Sequence, residues 1–340
     1  MIQGLYTVAE VNAMIEKGDT LLLAGDAPLL SQLSKGKWIG GSCSRFVEKG
    51  KSMTTSREKI FVHNVTSVAA NIKISVYDAG NVSSIYDDAF DNGFSVLIMP
   101  FFSEVWAEYG GNCSNYSNFA NRAVCGWVAV TPLYSDYEKN DESLVFSGES
   151  GLSYTNSAVV IHIGLAAKKY AEVHVFSPFK PIDEDVIIFE ENGQQFEFAL
   201  INGVKQNIRQ YLISRNIDRS VDAGAGSRKC LAGDYAGFIM NTAIAHESED
   251  DAGKYVSFGA PVYKDIPYRL ANMDNMLYED ENKSLDGNVV CSFTCVTNSA
   301  HPEVFGKYLT QMNGPLTYGE VAYFLLNHAT VYVTVGDSSF

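Results

Sequence analysis

The chain has 340 residues, 46% of them hydrophobic and 19% charged, which suits one large or two ordinary globular domains and excludes a largely disordered or collagen-like polymer. Its 25 basic and 40 acidic residues give a formal charge of -15, so a nucleic-acid backbone or an anionic membrane is a poor partner. No window approaches the ~18 apolar residues of a membrane span, and MIQGLYTVAE is not a secretion signal, so a cytoplasmic location is expected.

Thr7 and Glu10 form a capping box, and Val8, Val11 and Ile15 recur at helical spacing up to Gly18, which predicts a short helix. The apolar run Thr20 to Ala24 reads as a buried strand, Ala27 to Leu33 as a second helix, and Trp38-Ile39 as a strand stopping at Gly40-Gly41-Ser42. The densest basic stretch, Lys35 to Arg45, is broken by Trp38, Ile39 and two glycines and reads as a loop beside that strand. Further strands are expected at Lys59 to Val65, Ile72 to Tyr77, Ser95 to Met99 and Cys125 to Val130, with helices at Ser84 to Asp91 and Glu104 to Tyr109. Gly110 to Arg122 and Tyr134 to Ser150 carry loop chemistry.

Ala158 to Gly164 and Glu172 to Ser177 read as two strands joined by a polar turn. The two prolines of Ser177-Pro178-Phe179-Lys180-Pro181 then suggest a boundary between domains spanning residues 1–178 and 182–340. Beyond it, Asn192-Gly193 predicts a hairpin between Val186 to Phe189 and Gln195 to Leu200, and Asn202-Gly203 leads into a helix carrying Val204, Ile208, Tyr211 and Leu212. Gly314-Pro315 reads as a turn, Val321 to Leu326 as buried, and Val331, Val333 and Val335 as one face of a closing strand. The pattern predicts an α+β or α/β fold of two halves, each a mixed sheet flanked by short helices.

No motif for a cofactor or metal emerges. VDAGAGSRK, Val221 to Lys229, has neither Walker nor dinucleotide spacing, and Gly148-Glu149-Ser150-Gly151 is one residue short of a nucleophile elbow. The six histidines are scattered, and Glu247, Asp250 and Asp251 lack the register of a calcium loop. Six cysteines without a C-x-x-C pair favour reduced, buried thiols. Cys43, in GGSCSR, lies where glycines allow close approach and Arg45 is near in sequence, but no base is identifiable for it. Glu320, flanked by buried segments, needs a partner: a backbone N–H or threonine, or an amine or hydroxyl of a ligand.

Taken together, VVCSFTCV (Val289 to Val296), the helix expected near Pro302 to Met312, Tyr318-Gly319-Glu320, and Asn327 with Thr330 resemble the C-terminal end of the FIST sensory-domain family. TLLLAGDAPLLSQL followed by WIGGSCS is similar to that family's opening, and Asn202-Gly203 to the start of its C-terminal portion. The chain departs from the family with Val296-Thr297-Asn298 where an arginine is common, and with Gly41-Ser42-Cys43-Ser44 at the first turn, which marks it as divergent. The resemblance implies a stand-alone, non-enzymatic, small-molecule-binding sensory protein, with amino acids or their derivatives the suggested ligands and a signalling partner or self-association as the output. Its candidate ligand-binding residues are Ser42, Cys43, Cys295, Tyr318, Gly319, Glu320 and Asn327, in a pocket between the halves. Two other classes stay open: an enzyme using a cysteine nucleophile or a carboxylate, and a self-assembling scaffold suggested by 19 Tyr and 19 Phe.

Overall fold

In the computed structural model, the protein is described for residues 3–48, 53–130, 143–217, 227–245, 255–274, 276–277, 289–300 and 312–338. The expectations for 221–226, Glu247, Asp250 and Asp251, and nearly all of the helix at 302–312 fall outside these residues. The fold is α+β: mixed sheets dominate and the helices are few and short.

The first sheet takes the strands Gln3–Tyr6, Ile60–Asn64, Leu21–Gly25, Trp38–Ser42, Val145–Ser147 and Leu152–Tyr154 in that order. Alternation buries both of its faces. Leu21, Leu23 and Trp38 meet Val11 and Ile15 of the helix Val8–Glu16, while Leu22, Ala24 and Ile39 face the main core. The capping box of Thr7 and Glu10 starts that helix as expected. The second predicted helix is only the single turn Ala27–Leu30.

The second sheet has the order Phe324–Leu326, Glu320–Ala322, Ala123–Ala129, Gly93–Pro100, Ala158–Gly164 and Asn71–Tyr77. It packs on the first at Gly41, where an added Cβ would lie 2.7 Å from the Trp127 ring and 2.8 Å from Ile98. The third sheet runs Lys169–Phe176, Thr330–Asp337, Val289–Cys295, Gly314–Thr317, Arg45–Val47 and Thr54–Thr55. After Ser177 the chain enters a fourth sheet, built from residues 179–273 around its own core of Ile187, Phe189, Ile208, Leu231 and Leu270. From residue 289 it returns to complete the second and third sheets.

Several local expectations yield to stronger signals. Ser84 to Asp91 forms no α-helix, only the 3-10 turn Val82–Ile85, and Asp88 is held instead by Lys73 and Tyr77. Asn192-Gly193 does not close a hairpin. Gly193–Phe196 pairs with Val256–Val262, while Ile187–Ile188 pairs with Phe198–Ile201. The tight hairpin is at Asn202-Gly203, both at positive φ (50° and 80°), so Val204 belongs to the strand Val204–Asn207 and the helix Ile208–Ser214 starts after the Asn207 cap. Gly314-Pro315 is strand, not turn, and pairs with Val47 and Phe46.

Candidate functional site

Three strand pairs are parallel among the described residues: Leu21–Gly25 with Trp38–Ser42, Gly93–Pro100 with Ala123–Ala129, and Val289–Cys295 with Gly314–Thr317. The residues that leave their carboxyl ends meet. Val130 N–H donates to Ser42 O (3.0 Å), the Cys43 thiol reaches Leu316 O (3.4 Å), and the Phe101 and Tyr318 rings lie 5.4 Å apart. Ligands of open α/β sheets collect at such ends, because the loops leaving adjacent strands diverge there.

The segment Thr317 to Glu320 lies at the centre of this convergence. Thr317 pairs with Cys295 across the parallel ladder, and Glu320 pairs with Trp127 and with Leu326. Gly319 O accepts from Val128 N–H (2.9 Å), while the Asn327 amide donates to Tyr318 O (3.4 Å). The structure therefore brings Cys295, Tyr318, Gly319, Glu320 and Asn327 into one neighbourhood, with Cys43 reaching it through Leu316. Ser42 lies at its margin, its hydroxyl engaged by Leu144 N–H (3.0 Å).

Glu320 is fully buried. Its Oε1 is 2.5 Å from Thr317 Oγ1, and that hydroxyl is also 3.3 Å from Thr294 O. One hydroxyl carries one proton, so it cannot donate fully to both oxygens. The shorter contact takes the proton: Thr317 donates to Glu320 Oε1 and leaves Thr294 O as a longer, weaker contact. Desolvation pushes the Glu320 pKa well above the ordinary carboxylate range, against the opposing effect of the Thr317 hydroxyl.

Around this carboxyl sit Thr297, whose hydroxyl contacts Cys295 Sγ at 3.0 Å, and Thr330, bonded to Thr294 at 3.1 Å. Asn298 and His328 are also buried, and His328 takes a positive φ of 54°. Neither polar atom of the Asn298 amide, nor Glu320 Oε2, nor Asn327 Oδ1, has an aligned hydrogen-bond partner among the described residues. Buried polar atoms are rarely left so, since each costs roughly 1–3 kcal/mol. Thr297, Asn298 and Thr330 enter from the sequence only in the family comparison, which gives neither them nor His328 a place at the site. The available signal is the set of small polar residues in and after the otherwise apolar run VVCSFTCVTN.

The arrangement supplies hydrogen-bond acceptors rather than a nucleophile. Burial pushes the Cys43 thiol up to about 12, and burial followed by the nearby Glu320 raises that of Cys295 further. The reactive form of cysteine is the thiolate, so both are inert at neutral pH. Iodoacetamide at pH 7.5 is expected to leave Cys43 and Cys295 unlabelled in the native protein and to modify them in denaturant. Native labelling of either, seen by peptide mass spectrometry, would restore the cysteine-enzyme reading. Among the described residues, no group of three His, Cys, Asp or Glu side chains is arranged to hold a metal ion. No helix among them is long and apolar enough to cross a membrane.

Fold and site together define an α+β protein with a buried, acceptor-rich cluster where three parallel strand pairs end. Residues 6–336 match the Family of unknown function (DUF6976), and the chain belongs to that family. No curated protein is detectably similar to it.

Proposed function

We propose that this protein is a FIST-like sensory protein that binds a small molecule at the Glu320 cluster and passes the event to a partner protein or to a second copy of itself. The observation that carries the reading is the set of buried polar atoms, Glu320 Oε2, both ends of the Asn298 amide and Asn327 Oδ1, that have no aligned partner among the described residues, although the Ala329 N–H and the Cys295 thiol lie beside the Glu320 carboxyl. Three of the four are acceptors, so they favour a ligand rich in donors, and an amino acid or derivative offers its ammonium group. A cytoplasmic setting fits the six unbridged, buried thiols, which persist in a reducing compartment.

A thermal-shift screen against amino acids, small amines, organic acids and nucleotides tests the reading. A ligand at a hundredfold excess over its Kd stabilises the native state by ~2.7 kcal/mol, which is a readily measured shift. The expected result is a hit among the amino acids or amines that Glu320→Gln weakens and Asn298→Ala abolishes. A hit unmoved by both substitutions, or none in the amine-bearing set, would sink the proposal.

A further inference from the structure

A surface concavity shares no residue with the Glu320 cluster. It is a groove of about 430 Å³ lined by Lys35, Gly36, Lys37, Ile72, Lys73, Ile74 and Glu149. Lys35 and Lys37 come from the loop entering the first sheet, and Lys73 from the edge strand of the second. In a chain of charge -15, three lysines drawn from two sheets onto one groove make a local reversal of sign.

The lysine loop is held in place. Gly36 N–H donates to Gly148 O (2.9 Å), Gly148 N–H donates to Trp38 O (2.8 Å), and the Trp38 indole N–H donates to Ser34 O (2.9 Å). A Cβ at Gly148 would strike the Trp38 ring at 2.5 Å, so this close seating requires glycine. The Lys35 stem lies over Gly151, with Cε 2.9 Å from where a Cβ would stand. Lys73 is anchored by Asp88 at 2.5 Å, and Asp88 also accepts from Tyr77 OH at 2.7 Å. Lys35 and Lys37 have no acidic partner among the described residues. The outer side of the strand Asn71–Tyr77 has no ladder partner there either, so its edge offers both main-chain N–H and C=O groups beside the groove.

We propose that this groove binds a small dianion, a phosphate ester or a dicarboxylate, through the ammonium groups of Lys35 and Lys37 with Lys73 at its wall. Glu149 opposes the anion's charge and favours a ligand that also offers a hydroxyl or amine donor.

Isothermal titration of the whole protein at low salt, with inorganic pyrophosphate and with succinate as probes, tests the assignment. The expected result is saturable binding of at least one probe, weakened roughly tenfold or more by Lys35→Ala/Lys37→Ala. Glu149→Gln is expected to tighten it. A control, Lys180→Ala/Lys205→Ala, removes two lysines already paired with Asp274 and Glu190 and is expected to change nothing. Response to pyrophosphate alone assigns a phosphate ester, and equal response to succinate assigns carboxylate recognition. The absence of saturable binding at millimolar probe, or equal losses in the two lysine pairs, would overturn the proposal.

Discussion

Gly126→Ala is expected to leave the protein unable to reach its native state. Gly126 lies in the strand Ala123–Ala129, paired with Leu97 on one side and Val321 on the other. A Cβ there would fall on the Leu97 carbonyl oxygen, far inside van der Waals contact, with the Leu97 carbon 2.7 Å away. The obstructing atoms are backbone, so no side chain can swing aside, and ladders on both sides prevent the strand from shifting. Such collisions belong to the rare class of substitutions costing more than ~4 kcal/mol, out of a typical total of roughly 5–15 kcal/mol. Gly111→Ala is the matching control. It lies in the helix Glu104–Asn112 with nothing within 4 Å of an added Cβ, and alanine favours a helix by ~0.5–1 kcal/mol. Soluble yield and thermal midpoint of the two variants check the contrast. A Gly126→Ala protein with the parent midpoint would show that the strands are not so closely paired.

The second large effect concerns pH. His63 Nε2–H donates to Asn313 O (2.7 Å), and His162 lies between Ser95 Oγ (2.8 Å) and Tyr77 OH (3.0 Å). Tyr77 donates to Asp88, so its oxygen accepts from His162 Nε2–H, and Nδ1 accepts from Ser95. This chain requires a neutral ring. Burial lowers both histidines to about 4; at His162 the Lys73 charge adds to it. Above about pH 6.5 both rings are neutral in folded and unfolded chains, so they add no slope. Between there and pH 4 the unfolded chain binds protons that the folded one refuses, so stability falls with pH, by about 3 kcal/mol per histidine once both limits are passed.

Glu320 acts in the opposite direction. Its raised pKa means that the folded state keeps a proton the unfolded chain releases, so stability also declines as pH rises from about 4.5 toward the folded value. Two histidines outweigh one carboxyl below 6.5; above it Glu320 acts first, joined from about pH 8 by the buried thiols, whose raised pKa values work in the same direction. Urea midpoints from pH 4 to 8.5 are therefore expected to peak near 6.5. Glu320→Gln should flatten the alkaline limb up to about pH 8 and leave the acid limb standing. A profile that is level between pH 4.5 and 6.5 would show that the two imidazoles are not neutral and buried as described.

The helix Val8–Glu16 was legible because its start is encoded within four residues, by a threonine and a glutamate that satisfy each other. Strands such as Ala158–Gly164 were legible as strands, but not in their partners. It pairs with Asn71–Tyr77 and Gly93–Pro100, not with the next strand in sequence, and such choices depend on which faces must be covered. Ser84 to Asp91 and Val204 failed for the opposite reason: a helical spacing was overridden by a lysine–aspartate pair and by a tight Asn-Gly turn. At the site, Glu320 stood out as a charge between apolar runs. Asn298 and Thr297 did not, because nothing local distinguishes a buried amide or hydroxyl from one at the surface.

The return of the chain to its earlier sheets also has a consequence for synthesis. Among the described residues Lys169–Phe176 pairs only with Thr330–Asp337, and Ala123–Ala129 is flanked by Glu320–Ala322, so strands made early on the ribosome await segments made late. Until then they carry bare edges and uncovered valines through the crowded interval of translation, where stray strands are matched most easily. Pairings this distant in sequence close slowly. Premature pairing of such edges competes with the native closure, so slowing the encounters between nascent chains is expected to raise the yield of folded protein.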